Sequence, residues 1–161
     1  MAPDPQKHDI HVRGANESDC AELTRMHLAA GENLLSAPKG APLAHELLRG
    51  DEASAVSASF ASALDDPESS VFLGLLGEVP VGYSVLVPDL GRGRIRELWV
   101  DPEARAIGVG GALLQSVRNE ASRRRMTGLD SVALPGDRNT KNFFEDHALV
   151  ARAIVVGTSE L

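Results

Sequence analysis

The sequence predicts an α/β domain: one mixed sheet with helices on both of its faces. Three observations carry this expectation. The chain has 161 residues, 43% apolar and 24% charged, which suits a single soluble domain over residues 1–161 with one core. Apolar residues recur with a period of two in some segments and near 3.6 in others. A hairpin pattern in mid-chain adds antiparallel strands, and a later strand–helix–strand run requires at least one parallel pair.

Residues 1–8 are expected to form a loose tail. In DIHVRGA, Ile10 and Val12 alternate with polar residues, the pattern of a first strand. NESDCAELTRMHLAAG follows as a helix. Asp19 is placed to cap it with Glu22, Leu23, Met26 and Ala30 share a face, and Gly31 is expected to end it. Residues 33–50 are ambiguous, with APKGAP as a break and LAHELLRG as a short helix. DEASAVSASFASALDD carries Ala53, Val56, Phe60, Ala63 and Leu64 at helical spacing. SSVFLGLLGEVPVGYSVLVPD is a hairpin, Val71 to Leu76 and Val81 to Val87 with GEVP turning between them. RIRELWV is another strand. Leu113, Leu114, Val117 and Ala121 mark a long helix stopping near Gly128. DSVAL is expected as a short buried strand, NTKNFFEDH as a short helix and ARAIVVG as a final strand.

Composition narrows the function classes. No apolar run approaches the ~20 residues that span a bilayer, and MAPDPQKHDI lacks the pattern of a signal peptide. One cysteine, Cys20, rules out an intrachain disulfide and fits a cytoplasmic setting. Cys20 itself reads as a small buried hydrophobe in its helix. His8, His11, His27 and His45 show no metal-ligand spacing, so no metal is expected. The net charge of −7 argues against nucleic acid as a partner. That charge is uneven: residues 1–70 hold 5 basic and 12 acidic side chains, whereas residues 92–125 hold 8 arginines against 4 acids. A locally basic segment in an acidic protein attracts small anions, or simply solvates a helix face.

One junction concentrates the chemistry. VDPEARAIGVGGALL places Gly108, Gly110, Gly111 and a single arginine, Arg105, between a strand and a helix. A dinucleotide fingerprint needs a third glycine where Leu113 stands, and a P-loop needs a lysine where none occurs from 92 to 140. What remains is R-x-x-G-x-G at a helix start. Free backbone N–H groups and the helix dipole favour an anion there, glycine lets a ligand approach, and Arg105 adds a charge-assisted contact. On physics alone, glycines that only let the helix pack close to the sheet explain the pattern equally well.

These residues resemble the acetyl-CoA motif of the GNAT N-acetyltransferase superfamily, an L-x-V-x-P strand end followed by [RQ]-x-x-G-x-[GA]. Leu98, Val100, Pro102, Arg105, Gly108 and Gly110 stand in register with it. A second block of that family, an Asn-containing loop and a helix with F-Y-E, is echoed by GDRNTKNFFEDHAL. The resemblance covers residues 71–156 well and residues 1–70 only through VRGANESD. It implies the acyl-CoA N-acyltransferase fold, with a mixed, mostly antiparallel sheet, and acetyl-CoA as cosubstrate.

Residue by residue, the resemblance puts Leu98, Trp99 and Val100 beside the pantetheine arm. It puts the pyrophosphate over Arg105, Ala106, Ile107, Gly108, Val109, Gly110 and Gly111. A β-bulge near Leu98 would explain why Ile95 has one parity while Leu98 and Val100 have the other. The family's frequent tyrosine, which protonates the leaving thiolate, falls on Phe144, and phenylalanine has no proton to give. The family's asparagine falls on Asp137 by spacing or Asn139 by chemistry. Glu97 is the candidate general base and the Val100 N–H the candidate oxyanion donor, set against a purely structural carboxylate at Glu97. His147 reads as a helix C-cap, and Arg123, Arg124 and Arg125 as a solvated last turn rather than contacts for the 3′-phosphate. The implied function is acetyl transfer from acetyl-CoA to a small amine or a peptide amine. The alternative is a non-catalytic acyl-CoA-binding or sensor module. A homodimer is implied by family habit alone. The acidic bias of residues 1–70 favours a cationic acceptor.

Overall fold

The computed structural model describes residues 9–35, 52–134, 136–154 and 156–158. Five strands form one sheet in the order β1-β2-β3-β4-β5. They are β1 (Ile10–Gly14), β2 (Ser70–Leu76), β3 (Val79–Asp89), β4 (Arg92–Val100) and β5 (Leu129–Asp130). The first four run antiparallel to their neighbours, and β5 lies parallel to β4. Helices α1 (Cys20–Leu35) and α2 (Ala53–Asp65) cover one face; α3 (Val109–Arg123) and α4 (Arg138–Asp146) cover the other. The mixed, mostly antiparallel sheet with helices on both faces is the one expected.

Alternation along the strands sorts the core. Val71, Leu73, Leu75, Tyr83 and Val85 meet Leu23, Met26, Val56 and Phe60 of α1 and α2. Ile95, Leu86 and Val100 turn the other way, onto Leu113, Leu114 and Val117 of α3. Helix α3 buries Val109, Leu113, Leu114, Val117 and Ala121, as its spacing requires. It also lies unusually close to the sheet. A Cβ on Gly82 would stand 3.2 Å from Leu113 of α3, and also 2.8 Å from the Trp99 carbonyl oxygen on the neighbouring strand β4. A Cβ on Gly74, the cross-strand partner of Gly82, would stand 3.1 Å from Val109.

Several expectations needed correction. The cap of α1 sits three residues early: Asn16 accepts from the Ser18 amide at 3.0 Å, and Asp19 returns the favour to the Asn16 amide at 2.9 Å. Asp19 is committed there because Arg13 forks onto it at 2.7 and 2.8 Å, which holds its carboxyl below the usual range. Gly31 does not end α1, which continues to Leu35, because a single glycine weakens a helix without forcing its backbone out of it. The α3 helix stops at Arg123, with Arg125 at φ +57°, before Gly128. The expected strand over 130–134 is reduced to Leu129–Asp130. There the Ser131 hydroxyl bonds the Ile95 carbonyl at 3.1 Å and Val132 turns toward solvent, so the ladder stops. The described part of 151–157 forms no strand, and Ile154 and Val156 are exposed. Pattern alone cannot supply a sheet edge, and β5 offers two residues of it. The segment LAHELLRG and the tail 1–8 lie outside the described residues.

Two arginine clusters fasten the ends. Arg92 and Arg152 reach Asp130 at 2.5 and 2.6 Å, and hold its carboxyl down to about 2. Arg123 and Arg124 reach Glu120 at 2.7 and 2.6 Å, and hold it at about 2.

A folded-state pKa below the unfolded value gives stability that is present above the unfolded value, near 4.5 for Glu120, and lost as the pH falls toward about 2. Unfolding midpoints in urea are therefore expected to fall between those limits in the wild type, and to fall less in Glu120→Gln. Gly82→Ala is expected to destabilise by about 1–3 kcal/mol in the same assay, since the added methyl overlaps backbone.

Candidate active site

The site grows out of an irregularity in β4. Val85 faces Glu97 and Leu86 faces Ile95, so Arg96 is the extra residue of a bulge. The bulge lies two positions from the place expected and does what the parity demanded. Ile95, Leu98 and Val100 all turn to the α3 face, while Glu97 and Trp99 turn to α1 and α2. Among the described residues, β5 pairs with β4 only at Gly93 and Arg94, and the Ser131 hydroxyl reaches one residue further, to the Ile95 carbonyl. The Asp101 amide bonds the Val81 carbonyl at 2.8 Å. By antiparallel alternation, Leu98 and Val100 then direct their amides away from β3, into the opening.

The glycine loop closes the mouth of this opening. After a 3-10 turn at Pro102–Ala104, Ala106 takes φ +63° and Gly108 takes φ +108°, the left-handed region. Gly108 is the N-cap of α3 and brings no side-chain cap. The amides of Val109, Gly110 and Gly111 find no acceptor among the described residues. They form the anion-favouring start of a 15-residue helix. Arg105 is exposed, and its Nε bonds the Val100 carbonyl at 2.9 Å, which ties the loop to the strand. Ile107 is half-buried.

The glycines divide their work. Gly108 supplies the left-handed backbone. Gly110 and Gly111 supply room: a Cβ there would stand 3.0 Å from Phe143 and 3.3 Å from His147 Nε2 on α4. Close packing therefore explains two of the three glycines, and the free amides they leave explain the site.

Helix α4 is capped by Asp137, whose side chain accepts from the Thr140 amide at 3.1 Å. This gives Asp137 a structural task and leaves Asn139 exposed in the first turn. Phe144 is buried among Leu86, Ile95, Leu114 and Val117, away from the loop. His147 is the C-cap residue, with Nδ1 2.7 Å from the Phe143 carbonyl oxygen, and Arg118 of α3 bonds its carbonyl. Arg123 and Arg124 are bound to Glu120, far along α3 from the glycine loop. Cys20 is half-buried, and burial raises its thiol pKa.

On the opposite face lies a group that sequence reasoning only partly found. Glu97 Oε2 accepts from the Tyr83 hydroxyl at 2.8 Å and lies 3.1 Å from His27 Nδ1. His27 Nδ1 is also 3.2 Å from the Tyr83 oxygen. Glu97 was expected to matter; Tyr83 and His27 were not expected beside it. A signal existed for His27. It shares the stripe of Leu23 and Ala30 on α1, and a histidine in a core stripe needs a partner. Tyr83 is the chain's one tyrosine, but its approach to Glu97 needs the β3–β4 register.

A strand paired with its parallel neighbour over only two residues, beside a glycine-rich helix start in this mixed sheet, fits the acyl-CoA N-acyltransferase architecture. The sequence model of the Acetyltransferase (GNAT) family matches residues 37–148, and the chain belongs to that family, whose acyl donor is acetyl-CoA. Solved structures agree in fold. A mutant of the BH1408 protein from Bacillus halodurans superposes with a TM-score of 0.78 at 18% identity, covering 94% of this chain and 99% of that one. AAC(6')-Iy in complex with the bisubstrate analog CoA-S-monomethyl-acetylneamine gives 0.73 at 13% identity, over 94% and 98%. Ribosomal-protein-alanine N-acetyltransferase from Brucella melitensis biovar Abortus 2308 gives 0.64 at 15% identity, over 92% and 96%. No curated protein matches the chain in sequence. Among the described residues, no helix is long and apolar enough to cross a membrane.

Acetyl-CoA is expected to raise the melting temperature of the wild-type protein and to leave that of Gly108→Glu unmoved, since a carboxylate then competes for the free amides. Arg105→Ala, on an exposed side chain, is expected to fold normally and show a reduced shift. Equal shifts in all three proteins contradict the loop assignment.

Proposed function

We propose that the protein moves an acetyl group from acetyl-CoA to a primary amine by direct attack within a ternary complex. The observation that carries this reading is the opening of β4 beyond Arg94, next to the unpaired amides of α3. A strand edge suits an extended amide-bearing arm, and a helix start suits a pyrophosphate. When bound, acetyl-CoA supplies the acetyl group as an activated thioester. The amides of Val109, Gly110 and Gly111, with Arg105, hold the diphosphate. Ala106 and Ile107 shape the loop around it. The backbone of Leu98 and Val100 holds the arm, with Trp99 between them on the other face. The Val100 N–H stands ready to donate to the thioester carbonyl oxygen as it gains charge. Glu97 takes the proton that the acceptor ammonium must lose before the neutral amine attacks the thioester. Phe144 offers no proton to the departing sulfur, so that proton comes from another source.

The acceptor is best read as a cationic amine. Residues 1–70, which supply α1 and α2 beside Glu97, hold 12 acidic against 5 basic side chains. An aminoglycoside N-acetyltransferase and a ribosomal-protein-alanine N-acetyltransferase share this fold, so small and peptide amines are both acceptors it accommodates. One rival reading is an acyl-CoA-binding module without turnover, since Phe144, where the resemblance places the family's proton donor, is a core side chain.

Free-thiol release from acetyl-CoA across a panel of small amines and N-terminal peptides separates the two. Turnover with at least one primary amine is expected, falling about 100-fold or more in Glu97→Gln, with the acetyl-CoA thermal shift retained. Tight acetyl-CoA binding with no turnover on any acceptor overturns the acetyl-transfer reading in favour of the binding module.

A further inference from the structure

The carboxylate of Glu97 is held more tightly than a base waiting in a solvated cleft requires. Tyr83 oxygen, His27 Nδ1 and Glu97 Oε2 form a triangle with sides of 2.8, 3.1 and 3.2 Å. Phe60 of α2 stands edge-on to both rings, with centroids 5.9 Å from His27 and 5.6 Å from Tyr83, each at 82°. His27 and Tyr83 are each 1% exposed, so neither ring has room to turn.

The proton positions follow from this triangle. The Tyr83 O–H is spent on Glu97. A bare Nδ1 lone pair on His27 would then face two oxygens and no proton, which is repulsive. A proton on Nδ1 gives Oε2 a second donor. The other ring nitrogen, Nε2, is buried with no hydrogen-bond partner among the described residues. A second proton there would be a buried cationic N–H with no acceptor, whereas a bare lone pair costs less.

We propose that Tyr83 and His27 are positioning residues for Glu97, with His27 locked as the neutral Nδ1–H tautomer. The proposal rests on the acetyl-transfer reading above. Two donors from two different elements, β3 and α1, fix one carboxylate oxygen and thereby the direction from which the carboxylate meets the ammonium. Because α1 supplies one of them, the acceptor side of the site reports directly on how α1 is seated against the sheet.

The test has two arms. The first is long-range 1H–15N correlation of the His27 ring in the wild type. It is expected to show the Nδ1–H tautomer, and to lose that preference in Glu97→Gln. An Nε2–H tautomer or a cationic ring overturns the proposal whether or not the enzyme turns over. The second arm is kinetic. Tyr83→Phe and His27→Leu are each expected to lower kcat about tenfold to 100-fold, with little change in KM for acetyl-CoA. His27→Asn, which keeps a donor near the Nδ1 position, is expected to lose less than His27→Leu. In a Glu97→Gln background the Tyr83→Phe loss is expected to vanish, because there is no longer a carboxylate to aim. Full, independent losses in that background assign the pair a structural role only and overturn the proposal. Absence of any turnover in the wild type is a different failure, that of the acetyl-transfer reading itself.

Discussion

The approach of α3 to the sheet is the constraint on which the rest depends. Near the helix's first turn, a single extra carbon on Gly82 would fall 3.2 Å from Leu113, and one on Gly74 would fall 3.1 Å from Val109. With only hydrogen at both places, Val109 and Leu113 sink fully into the core, and the unpaired amides at the helix start come to the rim of β4. Gly110 and Gly111 repeat the device on the other side, where α4 closes against α3 through Phe143 and His147. A helix start held this rigidly presents its dipole and its N–H groups in a fixed direction, which lowers the ordering cost of binding an anion.

The bulge at Arg96 is the second determinant. It lets one strand serve two partners. On the α3 side, Leu98 and Val100 pack inward while their backbone faces the opening left by β5. On the other side, Glu97 and Trp99 face α1 and α2, where the proposed function places the acceptor. On the proposed reading, donor and acceptor would meet across the thickness of one strand, with no long loop needed to bring them together. The cost is borne by β5, which pairs through two residues and is held by the Arg92–Asp130–Arg152 cluster instead of a longer ladder.

What was legible in the sequence follows the range of the forces involved. Helices α2, α3 and α4 and strands β1 to β4 were readable because their apolar periodicity is local and strong. The start of α3 at the glycine loop was readable because helix-start physics is local too, but physics alone left an anion site and close packing equally good explanations, and only the family resemblance favoured the first. The cap of α1 was misplaced because Asn16 and Glu22 both stand three residues from Asp19, and only the Arg13 fork, six residues away, decides between them. The strands expected at 130–134 and 151–157 failed because strand formation depends on an available edge, a property of the whole sheet. The Glu97 cluster was half-legible. Glu97 stood out by its place on β4, but Tyr83 lies 14 positions away and His27 lies 70, joined only by register and by the seating of α1.

On the proposed function, backbone at the start of α3 and along the free edge of β4 forms the acyl-CoA site. A crystal structure of the protein with coenzyme A tests it most directly. Diphosphate oxygens are expected within hydrogen-bond distance of the amides of Val109, Gly110 and Gly111, with the pantetheine arm along Leu98 to Val100. A diphosphate seated instead in the cleft of Arg92, Arg123, Arg124 and Arg125 at the far end of α3 would contradict it.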